Sequence, residues 1–118
     1  MDRIYISDKE LKERISLNHK RLSEPFYDID NVFADSSARW PGDKEGRALL
    51  AFVSLVRAGE EKIPCMELML KRLPEMLNEK GWLGPVTGDF FEQQLSGHGW
   101  LLRGLCECYT LTGDDALL

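Results

Sequence analysis

Aromatic, carboxylate and amide side chains are concentrated in two long stretches between predicted helices, at about residues 23 to 43 and 79 to 94. A sugar needs flat apolar surfaces for its C–H faces, and carboxylates, amides or imidazoles for its hydroxyl groups. This mixture of side chains therefore indicates a carbohydrate-binding surface. The candidate residues are Trp40, Asp43, Trp82, Asp89, Glu92, Gln94 and His98, with Gln93 and Trp100 beside them.

Several candidates have an alternative structural role. His98 is predicted near a helix N-terminus, where the helix dipole favours the neutral imidazole. It could bind a sugar hydroxyl group, or it could only cap or pack the helix. Trp40 and Trp82 could stack on a sugar or close the end of the core. Trp100 lies within an apolar helical segment and is predicted to be core, whereas His19 is predicted to be solvated surface.

The acidic candidates are Asp43, Asp89 and Glu92. Hydrolysis of a glycosidic bond normally uses two carboxyl groups placed across that bond. On a loop, however, an acidic residue more often forms a turn or caps a helix, and Asp43 could cap the second predicted helix. The sequence therefore assigns no catalytic residue.

Four helices must position these side chains, and their patterns alternate. The first and third are amphipathic, whereas the second and fourth are apolar on nearly every side, as expected of buried helices. Because helices that run alternately up and down place alternate loops at one end, both long stretches should meet there. The predicted helices lie at about 8 to 22, 44 to 58, 64 to 78 and 96 to 111.

Local signals mark the ends of these helices. Ser7, followed by Glu10, forms a capping-box pattern before the first helix. Pro64 suits the first position of the third helix, and Pro74 lies inside it. The fourth helix should begin after Ser96 and end at Gly113, with Arg103 and Glu107 four residues apart and able to pair.

The alternation predicts an all-α fold in which helical hairpins form part of a two-layered toroid. An outer amphipathic helix paired with an inner apolar helix, then repeated, is what such a toroid requires. A four-helix bundle is the rival fold, but its four helices should carry similar apolar stripes. The unequal stripes favour the toroid.

Short motifs give the chain a family resemblance. Gly97-His98 opens an apolar helix, Tyr109 lies deep in it, Thr112-Gly113-Asp114 closes it, and Gly-Trp-Leu-Gly occupies residues 81 to 84. These motifs resemble the six-hairpin glycosidases, and within them the β-L-arabinofuranosidases of glycoside hydrolase family 127 and their relatives. The resemblance implies an (α/α)6 barrel, of which residues 1 to 118 would be an N-terminal portion with about two of six hairpins, truncated at Leu118.

The resemblance also implies a function and partners. The parent protein would be a glycoside hydrolase, and this chain, inactive alone, would supply one wall of the sugar pocket. In that family the acid/base Glu and a zinc-bound Cys nucleophile lie in later hairpins. Zinc is therefore expected in the parent protein, with no cofactor in this chain. The expected partners are a carbohydrate and the remainder of the parent chain.

Two alternatives of other classes remain open. The chain could be an α-helical repeat module that binds a protein, although the long acidic and aromatic loops are unusual for such repeats. It could also belong to a lyase or epimerase, since a toroid does not fix the chemistry. In every case, the apolar faces of the second and fourth helices predict self-association if nothing covers them.

Composition limits the classes of partner. The chain has 118 residues and 43% hydrophobic content, enough for one core. Its net charge of −5 disfavours nucleic acid and anionic membranes. The N-terminus lacks the apolar stretch of a secretory signal, which predicts a cytoplasmic protein, or a periplasmic or secreted one if a signal has been removed. Cys106 and Cys108 should face opposite sides of a helix as small buried side chains, not as a metal pair.

Overall fold

The computed structural model describes residues 7–34, 40–60, 63–86 and 92–117, and over these ranges the protein is helical and contains no strand. The all-α prediction is confirmed. None of the helices in these ranges is long and apolar enough to cross a membrane. The α-helices are α1 (Lys9–Leu22), α2 (Ile29–Ala34), α3 (Asp43–Arg57), α4 (Pro64–Met76) and α5 (Glu92–Thr112), and Pro25–Tyr27 and Asp115–Leu117 form short 3-10 turns.

Helix α1 begins one residue away from the predicted cap. The Asp8 carboxylate, not the Ser7 hydroxyl, accepts from the Leu11 amide at 2.9 Å. Glu10 does not reach back to complete a capping box but pairs with Arg14, four residues on, at 2.7 Å. The prediction of a Ser7 cap was therefore wrong by one residue, because the adjacent carboxylate takes the free amide.

The first long stretch, predicted to be irregular, contains α2. The 3-10 turn Pro25–Tyr27 precedes it, and Val32 and Phe33 of α2 are 1% and 3% exposed. A helix of six residues is too short to be stable alone. Its stability therefore comes from burying these two side chains, which local pattern cannot reveal.

The two apolar helices pack directly on each other. Helices α3 and α5 make the most extensive interhelical contact and run parallel, with Gly42 beside Gly97 and Gly46 beside Trp100. A Cβ atom added to Gly46 or Gly97 would lie closer than 3.0 Å to backbone atoms of the facing segment. Glycine is therefore needed at both positions, because the two backbones approach so closely.

The core is built around α3, which also contacts α1, α2 and α4. Leu49 and Phe52 of α3 are almost completely buried, as is Leu83 of the second long loop. Glu45, in the first turn of α3, is likewise 0% exposed, and the sequence pattern did not single it out. Burial therefore starts at the first turn of this helix, within its charged beginning, which its apolar pattern does not predict.

Helix α5 begins at Glu92, one turn before the predicted start. Ser96 consequently lies inside the helix and is exposed, so its predicted role as a cap is wrong. At the other end, Gly113 has a φ of +70°, and its amide donates to the Tyr109 carbonyl at 2.7 Å. The predicted glycine stop is confirmed, and the Thr-Gly-Asp motif forms the helix end.

Several side-chain predictions on these helices are corrected by long-range contacts. Glu107 pairs with Arg57 of α3 at 2.6 Å instead of with Arg103 on its own helix. His19 is half-buried, and its Nδ1 donates to Glu60 Oε2 at 2.6 Å, so it is not simply solvated. Trp100 is also half-buried, with the Arg47 guanidinium 4.1 Å from its ring centre.

Cys106 and Cys108 face different sides of α5, as their spacing predicts, but only Cys108 is buried. Cys108 is 0% exposed, whereas Cys106 faces solvent. Burial, with a smaller contribution from the Glu107 carboxylate, raises the pKa of the Cys108 thiol to about 11. Cys108 is therefore an unreactive core thiol at neutral pH, and the predicted burial of Cys106 was wrong.

Candidate functional site

The loop that holds the Gly-Trp-Leu-Gly motif is fixed by His98. The Leu83 amide donates to His98 Nε2 at 3.1 Å, and His98 Nδ1 lies 2.6 Å from the Gln94 carbonyl oxygen. A carbonyl oxygen only accepts, so Nδ1 carries the proton and Nε2 accepts. The two contacts together require a neutral imidazole, and both ring nitrogens are occupied by the backbone.

Two amide side chains complete this attachment. Gln94 Nε2 donates to the carbonyl oxygens of Leu83 and Pro85 at 3.0 and 3.2 Å. From the other side, Asn78 Nδ2 donates to the Gly84 carbonyl oxygen at 2.8 Å. The loop is therefore held from both flanks. Asn78 was not among the sequence candidates, although an Asn two residues before a Lys-Gly pair is a typical turn former.

Trp82 is half-buried within this loop. Its indole nitrogen Nε1 is buried and has no hydrogen-bond partner among the residues that the structure describes. Buried indole N–H groups usually find an acceptor. Among the buried side-chain nitrogen and oxygen atoms of residues 78–86, this donor is the one without a hydrogen-bond partner, and it lies next to the completely buried Leu83.

The turn before α3 meets the same loop. Trp40 is 47% exposed, and its carbonyl oxygen accepts from the Asp43 amide at 3.1 Å. Pro41 is buried against Gly97 of α5 and against Gly84 of the loop, where added Cβ atoms would overlap it. The turn that contains Pro41, the loop that contains Gly84 and helix α5 at Gly97 thus meet at the N-terminal ends of α3 and α5. The alternation of helices predicts that the two long stretches meet at one end.

Asp43 has a different role from the one predicted. It is the first residue of α3, Gly42 occupies the cap position with a φ of +92°, and no side chain caps the helix. The half-buried Asp43 carboxylate instead accepts from Arg47 Nε, with N–O distances of 2.9 and 3.0 Å. The capping prediction is therefore wrong, because Gly42 already turns the chain into the helix.

The structure brings most of the predicted site residues to one end of the molecule, but not all to one surface. Glu92 is exposed at the start of α5, and Asp89 lies outside the described residues. Gln94 and His98 point inward to the loop, whereas Trp40 is open to solvent. Of the three predicted tryptophans, Trp40 is consequently the most exposed and the best placed to contact a ligand.

A cleft that sequence reasoning missed lies beside this end. Its volume is about 320 Å³, and it opens between the end of α1, the Pro25–Tyr27 turn and the first turns of α3. Cationic, aromatic and small apolar side chains line it together with one carboxylate. They are Arg21, Lys44, Arg47, Phe26, Tyr27, Leu22, Ala48, Ala51 and Asp43.

The described residues do not provide a metal site. No three His, Cys, Asp or Glu side chains in these ranges lie close enough together to share an ion.

Comparison with known proteins adds no family assignment. A scan against protein-family models finds no match, and searches of curated proteins and of solved structures find none either.

Proposed function

We propose that this chain is the N-terminal part of an (α/α)6 glycoside hydrolase and forms one wall of its carbohydrate pocket. One observation carries the proposal. The two motifs that resemble the family 127 arabinofuranosidases, residues 81–84 and Gly97-His98, are joined by the 3.1 Å bond between Leu83 and His98. They act as one structural unit at the end of the helices where the long loops meet.

Helix packing supports the toroid part of the proposal. In an up-down-up-down bundle the second and fourth long helices would lie on a diagonal, separated by the other two. Here α3 and α5 are instead the closest pair, parallel and in backbone contact at Gly46 and Gly97. Adjacent parallel inner helices are what a two-layered array of hairpins needs.

The geometry also suggests which residues position the loop and which would contact the sugar. His98 and Gln94 are positioning residues, because their polar atoms hold the loop that carries Trp82. Trp40 offers an exposed ring on which the C–H face of a sugar could stack. The catalytic groups would come from later hairpins, so the chain alone is expected to bind sugars weakly and to hydrolyse none.

The proposal can be tested by titrating the chain with a panel of neutral and acidic methyl glycosides. Binding would be detected by tryptophan fluorescence and by NMR. Trp40→Ala should weaken binding by about 3- to 10-fold, the loss expected for one stacking ring. Trp40→Phe keeps a flat ring and should retain most of the affinity. Leu68→Ala, at a 50% exposed position on α4, is the matched surface control.

Two results would count against this function. One is that no glycoside binds even at millimolar concentration. The other is that Trp40→Ala binds as tightly as the unchanged chain.

A protein-binding helical module is the second candidate, favoured by one face of α5. Leu95 and Leu102 are 63% and 61% exposed on the same side of the helix, and a Cβ atom added to Gly99 between them would contact no side chain or other segment of the described residues within 4 Å. Light scattering of the chain and of Leu95→Glu/Leu102→Glu would separate the two functions. Assembly that the double substitution abolishes, without any glycoside binding, would favour the module.

A further inference from the structure

The cleft beside α3 reverses the charge of the chain locally. Among the described residues, three cationic side chains and one carboxylate line it, on a chain whose net charge is −5. A cleft lined mainly by charges of one sign raises the local concentration of ligands that carry the opposite charge. The cleft is thus suited to an anion, although the chain as a whole is acidic.

The two arginines of the cleft are held in place but retain donors that no described residue uses. Arg47 bonds to Asp43 through Nε alone, and Arg21 donates through Nη1 to the Tyr27 hydroxyl at 3.2 Å. Their remaining guanidinium N–H groups make no hydrogen bond within the described residues. The Lys44 ammonium lies over the Phe26 ring, 4.1 Å from its centre, and donates to the Asn31 carbonyl oxygen at 2.9 Å. Such preorganised donors favour a planar carboxylate, which an arginine can bind through two parallel bonds.

The interior of the cleft is apolar. Leu22 and Ala48 are 4% and 3% exposed, and the small Ala51 leaves space above them. Phe26 and Tyr27 stand edge to face on one side, with ring centres 5.0 Å apart. A volume of about 320 Å³ lies at the lower end of the range for small-molecule sites, so one ring fits.

We propose that this cleft binds the carboxylate of an acidic sugar, a uronate unit of the glycan. Arg21 and Arg47 would hold the carboxylate, and the alanine and aromatic surface would receive the sugar ring. The cleft adjoins the proposed sugar wall, since Asp43 is hydrogen-bonded to Trp40 through the backbone. The sugar part of this inference rests on the proposed function, whereas the anion part does not.

The test uses two ligands that differ in one group, methyl β-glucuronide and methyl β-glucoside, with acetate as a simple carboxylate. Two-dimensional NMR of the 118-residue chain would follow the amides of residues 43 to 51. The glucuronide should bind about tenfold tighter than the glucoside, the gain expected from charge-assisted hydrogen bonds. Raising the salt concentration should reduce this preference.

Three variants assign the preference to the cleft. Arg21→Gln/Arg47→Gln should remove it, and the single Arg21→Gln, which leaves the Asp43 pair intact, should weaken it. Arg14→Gln removes an exposed arginine of the same helix outside the cleft and should leave the preference unchanged. Asp43→Asn removes the one carboxylate of the cleft and should tighten glucuronide binding by about two- to fivefold.

The outcomes separate this inference from the proposed function. Glycosides that bind through Trp40 without any preference for the acid would overturn the uronate site and leave the sugar-binding wall intact. Acetate that shifts the cleft amides while no glycoside binds would preserve the anion site but overturn both the uronate assignment and the proposed function. A preference that survives Arg21→Gln/Arg47→Gln, or an Asp43→Asn variant that binds more weakly, would overturn the cleft as its location.

Discussion

Adding one methyl group at two nearby glycines of α5 should change stability in opposite directions. A Cβ on Gly97 would lie closer than 3.0 Å to the Pro41 carbonyl oxygen and carbon, both backbone atoms that cannot rotate away. A Cβ on Gly99 would meet no side chain and no other segment of the described residues within 4 Å. The same substitution, two residues apart in one helix, therefore separates packing from helix propensity.

The two effects have comparable sizes. Alanine is favoured over glycine inside a helix by about 1 kcal/mol. Overpacking against fixed atoms costs about 1–3 kcal/mol, and contact with backbone belongs at the upper end of that range. Gly97→Ala should therefore lower the free energy of unfolding by about 1–2 kcal/mol, whereas Gly99→Ala should raise it by up to about 1 kcal/mol.

Urea denaturation followed by circular dichroism measures both values. Gly46→Ala, which overlaps the Trp100 backbone, should behave like Gly97→Ala, and Gly104→Ala, whose nearest atom would be 2.8 Å away, should cost less. If Gly97→Ala stabilises the chain as much as Gly99→Ala, then α3 and α5 do not approach as closely as described, and the glycine contact is refuted.

Three further predictions follow from single contacts. His98→Ala should cost about 1–3 kcal/mol, because it leaves the Leu83 amide buried without its acceptor; urea denaturation gives the loss, and hydrogen exchange at Leu83 should accelerate. Replacing Glu107 by Gln should cost about 0.5–1 kcal/mol at low salt and less at high salt, since its bond to Arg57 is only partly screened from water; a double-mutant cycle measures this coupling. The raised pKa of Cys108 means that the unfolded chain loses this thiol proton first, so stability should fall as pH rises from about 9 to about 11; Cys108→Ala should flatten that part of a pH-stability curve.

The position of a helix was predictable where the helix is long and its ends carry local sequence signals. Pro64 begins α4 and Gly113 ends α5, as expected. Helix α2 was missed, because Val32 and Phe33 stabilise it only through contacts with other helices. Propensity and capping act within a few residues, so they identify long helices and overlook short ones that depend on packing.

The candidate site was predictable as a group of residues but not in its contacts. The aromatic and amide residues do lie at one end, yet His98 binds the backbone of Leu83, which is 15 residues away. The cleft was missed since Arg21 belongs to one helix and Arg47 to another. Nothing in either segment alone indicates that the two guanidinium groups will line one cavity.

The sequence by itself determined the all-α class and the meeting of two long loops at one end. Hydrophobic periodicity and chain direction suffice for these properties, because each depends on neighbours in sequence. Only the tertiary structure decided that α3 and α5 touch through glycine, that His98 holds a loop, and that three cations surround a cleft. Each of these depends on which backbones can approach most closely, and that is settled by packing the whole core.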